Sequence, residues 1–153
     1  RIYIFAKGES YLAGCIFRNN LLKLDRHVTM ADDGGLQTLH VKNGRPGDLF
    51  LFLSYSGIHY DYSKYAAALS ERGIKPCLIT AFSDSALARQ CDTVLLIPKS
   101  ERVIGKVANY SSMISLTYTL QVIYSLIFNQ DYQENYRVKH EADSFIFTSF
   151  AEI

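Results

Sequence analysis

The chain has 153 residues, which is enough for one domain with a single core, and 48% of them are hydrophobic. Its 16 basic and 15 acidic residues give a formal net charge of +1, and no run of lysine and arginine marks a nucleic-acid-binding surface. Three widely spaced cysteines (Cys15, Cys77 and Cys91) contain no CxxC pair, which favours reduced thiols in a cytoplasmic protein over a disulfide framework.

Five short apolar runs predict β-strands. The runs are nearly continuous rather than alternating, which is typical of parallel strands that are covered on both faces. In chain order, the predicted strands span residues 1–6, 27–31, 48–53, 76–80 and 93–98.

Helical patterns separate these runs. The predicted helices span residues 10–23, 35–41, 60–72 and 85–90. Gly73 follows the third helix, where it suits a left-handed C-terminal cap. The repeated alternation predicts an α/β fold, a three-layer α-β-α sandwich with a five-stranded parallel sheet of the flavodoxin-like or Rossmann-like kind. Such folds bind ligands at the carboxyl ends of the strands.

The C-terminal third is predicted to be mainly helical. Residues 107–130 carry no formal charge, but Asn109, Gln121 and several hydroxyl residues would suit a hydrocarbon core poorly. We therefore expect a helix that packs against the sheet or a partner subunit, and no membrane span. Residues 131–141 are charged enough for an exposed helix. Residues 144–150 (SFIFTSF) have a strand-like composition and are expected to pack on their own domain or on a partner.

The turn after the first predicted strand, AKGES, is a candidate anion site. Gly8 allows a close approach of the backbone, and Ser10 opens the next helix, whose first N–H groups have no partner within the helix. A simple serine cap is the alternative interpretation. The dinucleotide pattern GxGxxG fails here, as does the hydrolase pattern GxSxG, and the chain contains no phosphate-binding GxxxxGK[ST].

The turn after the third predicted strand, LSYSG, carries hydroxyls at Ser54 and Ser56, followed by Gly57 and His59. A phosphate needs several donors that converge from different directions, and two neighbouring strand-end turns can supply them. We therefore predict that Ser10, Ser54 and Ser56 bind one phosphate, most simply that of a sugar phosphate. These hydroxyls are expected to serve the ligand and not the core.

Together, these segments resemble the sugar isomerase (SIS) domain, a phosphosugar-binding module. AKGES, SYSGIH, LIT and SDSALARQCDTVLLIP occur in the family's order and at fitting spacing, and the resemblance covers about residues 1–130. It implies an SIS fold and one SIS domain over residues 1–153, with a C-terminal extension at 131–153. Two residues depart from the family pattern: Ala6 stands where glycine is usual, and His59 stands where threonine is usual.

Within that superfamily, the segment MADDGGLQTLHVKNGRPGDLFLFLSYSG is similar to the ligand-sensing domain of RpiR-type transcriptional regulators. This resemblance implies a cytoplasmic homodimer that senses a sugar phosphate. It also implies a helix-turn-helix domain before Arg1, through which alone the protein would bind DNA. No cofactor is implied, and the spacing of the histidines indicates no metal site.

An aldose–ketose isomerase is the alternative function, because isomerisation needs a base and an acid. Glu9, His59, Glu101 and perhaps Lys7 are the candidates, and Glu101 lies near the position of a catalytic glutamate in enzymatic relatives. The match then ends, because Val107, Ala108 and Asn109 replace a VAxTK-like stretch. Glu101 could equally be a solvated loop charge, and a degenerate domain that only dimerises is a third alternative. The predicted phosphosugar-binding residues are Lys7, Gly8, Glu9, Ser10, Ser54, Tyr55, Ser56, Gly57, His59 and Glu101, with no catalytic residue.

Overall fold

The computed structural model describes residues 1–151, with side chains to residue 147. Residues 152 and 153, the end of the predicted domain and extension, lie outside the described residues. The strands are β1 (Ile2–Ala6), β2 (Val28–Ala31), β3 (Leu49–Leu53), β4 (Cys77–Thr80) and β5 (Thr93–Leu96). The α-helices are α1 (Glu9–Leu22), α2 (Gly34–Asn43), α3 (Tyr60–Ser70), α4 (Tyr110–Gln130) and α5 (Tyr132–Ala151).

The strands form one sheet in the order β2-β1-β3-β4-β5, and every neighbouring pair is parallel. This is the flavodoxin-like order, so the predicted fold class is confirmed. The chain order reverses between β1 and β3, and Ala6 pairs with Leu53 at their carboxyl ends. Residues 7 and 54 therefore leave the sheet side by side, at the position where such folds bind ligands.

Helices cover both faces of the sheet because neighbouring residues of each strand point to opposite sides. Tyr3 and Phe5 join a buried cluster with Tyr62 of α3, and Val41 of α2 belongs to the same cluster. Ile4 and Ala6 point the other way, into a cluster with residues of α1 and α4. The nearly continuous apolar strands thus fill two cores, one on each face.

The uncharged C-terminal helix is present as α4, which starts at Tyr110 rather than Val107. Among the described residues it is the one helix that is long and apolar enough to cross a bilayer, a test that core helices of soluble proteins also pass. Ser112, Leu116 and Leu120 are its buried residues, and Asn20 of α1 donates a 3.0 Å hydrogen bond to Gln121. It therefore packs on α1 along one face.

Two local predictions are wrong. The helix predicted at residues 85–90 is reduced to a single 3₁₀ turn at Ala88–Gln90. The strand-like segment 144–150 continues α5 as a helix. Helix-stabilising ion pairs four residues apart, Arg137–Glu141 and Lys139–Asp143, precede that segment and favour continued helix over its local β-propensity. Phe145 and Phe147 are exposed, so this part of α5 does not pack into the domain core.

Candidate functional site

A cavity of about 210 Å³ opens at the carboxyl ends of β1 and β3. Its walls come from the two strand-end turns, the loop between β5 and α4, and the first turns of α4. Eight of the ten predicted site residues line it: Lys7, Gly8, Glu9, Ser10, Ser54, Tyr55, Ser56 and His59. Ligand cavities for drug-sized molecules are typically about 300–1,000 Å³. This smaller volume suits a ligand of about monosaccharide size.

The first turn presents the start of α1 to the cavity. Gly8 precedes the helix with φ 58°, a left-handed conformation that glycine adopts without strain, so the turn obtains its tightness from Gly8 although Ala6 replaces the usual glycine. No side chain caps α1, and Ser10 lies inside its first turn. The serine-cap interpretation is therefore wrong. The first N–H groups of α1 lack partners within the helix and carry its partial positive charge.

Ser54 has a structural role that the sequence interpretation missed. It is 3% exposed, and its Oγ accepts a 3.1 Å hydrogen bond from the backbone N–H of Gly57. The expectation that its hydroxyl serves only a ligand is therefore wrong, although that hydroxyl keeps its own hydrogen to donate. Ser56 is partly buried on the cavity wall, and its side chain makes no hydrogen bond to another residue within 1–151.

Gly57 does not line the cavity. It has φ 63°, and a Cβ atom at this position would lie 2.6 Å from Cβ of Ser85. Its carbonyl accepts a 3.3 Å hydrogen bond from the backbone N–H of Leu87. Gly57 therefore lets the second turn pack on the SDSALA segment, which is a physical reason for finding the two motifs in one sequence.

Tyr55 connects the second turn to two other parts of the sheet edge. Its carbonyl accepts hydrogen bonds of 2.9 Å from the Thr80 hydroxyl and from the backbone N–H of Ala81. Its phenol oxygen accepts a 2.8 Å hydrogen bond from the N–H of Glu101 and donates a 2.9 Å hydrogen bond to the carbonyl of Glu101. The loop between β5 and α4 is thereby fixed to the second turn.

Glu101 does not line the cavity either, because its carboxylate binds the start of α4. It accepts hydrogen bonds from the Ser111 hydroxyl (2.9 Å) and from the backbone N–H (3.0 Å) and hydroxyl (2.7 Å) of Ser112. The donation from Ser112 lowers the pKa of Glu101 from its ordinary value of 4.5 to about 2. A carboxylate held this firmly in its charged form is a poor general base at neutral pH.

Two lysines and a histidine set the electrostatics of the cavity. The Lys7 ammonium lies 5.2 Å from the centroid of the Tyr62 ring, and that of Lys106 lies 5.2 Å from the centroid of the Tyr55 ring. His59 precedes α3, and its burial, together with the charge of Lys7, lowers its pKa from 6.5, so its imidazole is neutral at pH 7. Two cations, one carboxylate (Glu9) and a helix N-terminus favour an anionic ligand.

The sequence interpretation missed the contribution of the last loop and of α4. The polar residues that it overlooked are Lys106, Asn109 and Ser112, and the apolar ones include Val103, Met113 and Leu116. A signal existed for Lys106, since it follows β5 and the carboxyl ends of all five parallel strands share one edge of the sheet. No local pattern indicates how the loop from residue 97 to residue 109 returns to the cavity.

Comparisons with known proteins agree with this geometry. A family model described as the SIS domain matches residues 1–127. None of the curated proteins is significantly similar in sequence. Among solved structures, the chain resembles the sugar isomerase domain of the RpiR transcription factor from Sphaerobacter thermophilus, with 23% identity and a TM-score of 0.78 over 94% of this chain and 78% of that one.

Two further structures contain sugar phosphates. The Vibrio vulnificus NanR protein complexed with ManNAc-6P is 19% identical, with a TM-score of 0.84 over 96% of this chain and 55% of that one. The E. coli CFT073 protein c3406 in complex with arabinose 5-phosphate is 16% identical, with a TM-score of 0.72 over 85% of this chain and 70% of that one. At these identities the likeness establishes a shared fold.

Proposed function

The chain belongs to the SIS domain family, and on that premise we propose that its strand-end cavity binds a sugar phosphate. One observation carries the proposal: Ser10, Ser54 and Ser56 line a single cavity of about 210 Å³ at the start of α1. A phosphate monoester carries a charge of about −1.5 to −2 at neutral pH and has three acceptor oxygens. The cavity offers hydroxyl, backbone N–H and ammonium donors, which match that group.

The phosphate is proposed to lie between the two strand-end turns. There it receives hydrogen bonds from the Ser56 hydroxyl and from the first N–H groups of α1, with Lys7 as the nearby cation. His59, which stands where family members usually carry threonine, is neutral and can donate or accept a hydrogen bond at the edge of this site. Gly57 and Glu101, both predicted to be binding residues, would then support the site from behind rather than bind the ligand.

We infer that the domain is a sensor rather than an enzyme. The carboxylate of Glu101, the candidate that enzymatic relatives suggest, accepts three hydrogen bonds from Ser111 and Ser112 and lies off the cavity. An aldose–ketose isomerase is the alternative function, because Glu9 and His59 do line the cavity and could exchange protons with a sugar. Turnover assays distinguish the two functions.

An RpiR-type regulator is the specific form of this proposal. The similarity to the sugar isomerase domain of an RpiR transcription factor supports it, as does the sugar phosphate bound to NanR. The chain covers 55% of the NanR chain, which leaves room in such a protein for a DNA-binding helix-turn-helix domain. In this proposal the protein is cytoplasmic, and DNA is bound only through that additional domain.

The proposed assembly is a homodimer formed through the outer face of α4. Five apolar side chains recur there every four residues and are between 40% and 71% exposed: Tyr110, Ile114, Tyr118, Val122 and Leu126. A continuous apolar stripe of this length is unusual on the surface of a monomer. A second copy would cover it with an identical uncharged stripe, in an interface with twofold symmetry.

Titration calorimetry tests the binding proposal directly. ManNAc-6P and arabinose 5-phosphate are titrated into the protein, with the corresponding free sugars and inorganic phosphate as controls. We expect at least one phosphosugar to bind, and its free sugar to bind far more weakly because the cavity binds the phosphate. Absence of binding for every phosphosugar in a wider hexose, hexosamine and pentose phosphate panel would contradict the proposal, and so would equal affinity for the free sugars.

A further inference from the structure

The two lysines of the cavity approach the second turn from opposite faces of the sheet. Lys7 lies over Tyr62, whose side chain belongs to the core between the sheet and α3. Lys106 lies over Tyr55, which packs against the other core, between the sheet, α1 and α4. Neither ammonium makes a hydrogen bond to any residue between 1 and 151. A phosphate that is bound beside Lys7 at the start of α1 therefore leaves Lys106 for another part of the ligand.

Lys106 is held near the cavity by a carboxylate that does not use its hydrogen-bond donors. Its Nζ lies 3.6 Å from Oε2 of Glu101, which is an ion pair but is longer than a hydrogen bond. The oxygens of Glu101 already accept hydrogen bonds from Ser111 and Ser112. The Lys106 side chain is only 26% exposed, so water reaches its three N–H donors from few directions.

The chemistry of such a group limits what it can bind. A partly buried ammonium without hydrogen bonds is unfavourable unless a ligand supplies acceptor oxygens, and charged oxygens form the stronger hydrogen bonds. Sugar hydroxyls offer only neutral acceptors. Glu101 keeps the lysine charged and in place, while the ligand completes its hydrogen bonding.

We propose that Lys106 forms a second oxyanion subsite, so that the preferred ligand is a phosphosugar with another anionic group at the end remote from its phosphate. This group is a carboxylate or a second phosphate, and Lys106 is the residue that selects for it. The inference rests on the proposed phosphosugar function and deepens it, because it names the charge class of the ligand.

Matched pairs of ligands test this selection. Glucose 6-phosphate is compared with 6-phosphogluconate, which carries a carboxylate at carbon 1, and fructose 6-phosphate is compared with fructose 1,6-bisphosphate. We expect the wild-type protein to bind the doubly anionic member of at least one pair about 10- to 150-fold more tightly, the range for one hydrogen bond to a charged group. The pair with the larger preference identifies the second oxyanion as a carboxylate or a phosphate.

Substitutions assign the preference to Lys106. Lys106→Gln should reduce it to less than about threefold while leaving the affinity for the singly charged member nearly unchanged, and Lys106→Arg should retain it. Lys99→Gln is the matched control, because Lys99 belongs to the same loop, lies over Phe82 and is not on the cavity wall. Thermal unfolding of each variant verifies that the fold is intact.

The outcomes separate the two proposals. If singly charged phosphosugars bind but neither pair shows a preference, the second subsite is wrong and the proposed function stands. A preference that survives Lys106→Gln, or an equal loss for both members of a pair, overturns the role of Lys106. If no phosphosugar binds at all, the proposed function and this inference both fail.

Discussion

The phenol oxygen of Tyr55 hydrogen-bonds both the N–H and the carbonyl of Glu101, 46 residues away in the sequence. These two contacts join the second strand-end turn to the loop that carries Lys106. The aromatic ring of the same residue lies under the Lys106 ammonium. The position of that lysine therefore depends on Tyr55 in two separate ways.

Tyr55→Phe separates these two contributions, because it keeps the ring and removes both hydrogen bonds. Each hydrogen bond is worth about 0.5–1.5 kcal/mol, so the free energy of unfolding should fall accordingly. Amide hydrogen exchange should become faster in residues 98–109. Tyr60→Phe is the control, since Tyr60 is 70% exposed and its hydroxyl makes no hydrogen bond to another described residue. Unchanged exchange in the loop would show that the Tyr55 hydroxyl does not fix it.

Ser56→Ala isolates the role of a hydroxyl in binding. We expect phosphosugar affinity to fall about 10- to 150-fold, because a hydrogen bond to a charged group is lost. The free energy of unfolding should stay nearly constant, because Ser56 makes no hydrogen bond to another described residue. Calorimetry and urea unfolding measure the two effects, with the exposed Ser83→Ala as the control.

Ser54→Ala should behave differently, because it also leaves the backbone N–H of Gly57 without its partner. An unsatisfied buried donor costs about 1–3 kcal/mol, so this variant should lose stability as well as affinity. If the double variant Ser54→Ala/Ser56→Ala bound every phosphosugar as tightly as the wild type does, the site would lie elsewhere.

Glu101 should make stability depend on pH in acid. Its pKa is lowered from 4.5 to about 2 by the donors of α4, so its contribution is fully present above pH 4.5 and is lost as the pH falls toward 2. Urea unfolding at pH 7, 4.5 and 3 should show a difference between the wild type and Glu101→Gln that decreases in this window. Glu71→Gln controls for the loss of an exposed carboxylate. A difference that stays constant down to pH 2 would contradict the structural role of Glu101.

No isomerase activity is expected from the purified protein. The Glu101 carboxylate is held by the start of α4, and the remaining acid–base candidates on the cavity, Glu9 and His59, are not hydrogen-bonded to each other within the described residues. Aldose and ketose phosphates of the hexose, hexosamine and pentose series should not interconvert above background. Reproducible turnover that disappears in Glu101→Gln, Glu9→Gln or His59→Gln would establish the enzyme instead.

Self-association should depend on the outer face of α4. Ile114→Glu or Tyr118→Glu places a charge in the apolar stripe and should convert dimers to monomers at micromolar concentration. Analytical ultracentrifugation measures this change, and Lys75→Glu, in an exposed loop, is the control for an added negative charge. A wild-type protein that sediments only as a monomer would exclude the proposed homodimer.

The sequence predicted the sheet and the two strand-end turns because both depend on local patterns. Continuous apolar runs indicated buried parallel strands, and the rule for parallel sheets placed Ser10 and Ser54 at one edge. The same rule could not describe Glu101, whose partner Ser112 lies eleven residues further along, beyond a loop without periodicity. Segment 144–150 was misjudged because its composition favours strand, whereas the helix that begins at Tyr132 continues through it.

The two faces of α4 belong to different environments, since Ser112 and Leu116 border the cavity and Ile114 and Tyr118 face outward. In a dimer formed through that helix, filling the cavity and joining the subunits would be thermodynamically linked. Linkage is reciprocal, so a ligand that tightens the dimer tenfold must itself bind the dimer tenfold more tightly than the monomer, a coupling of about 1.4 kcal/mol. The measured affinity for a sugar phosphate would then vary with protein concentration, and a dilution series could detect the coupling without any mutation.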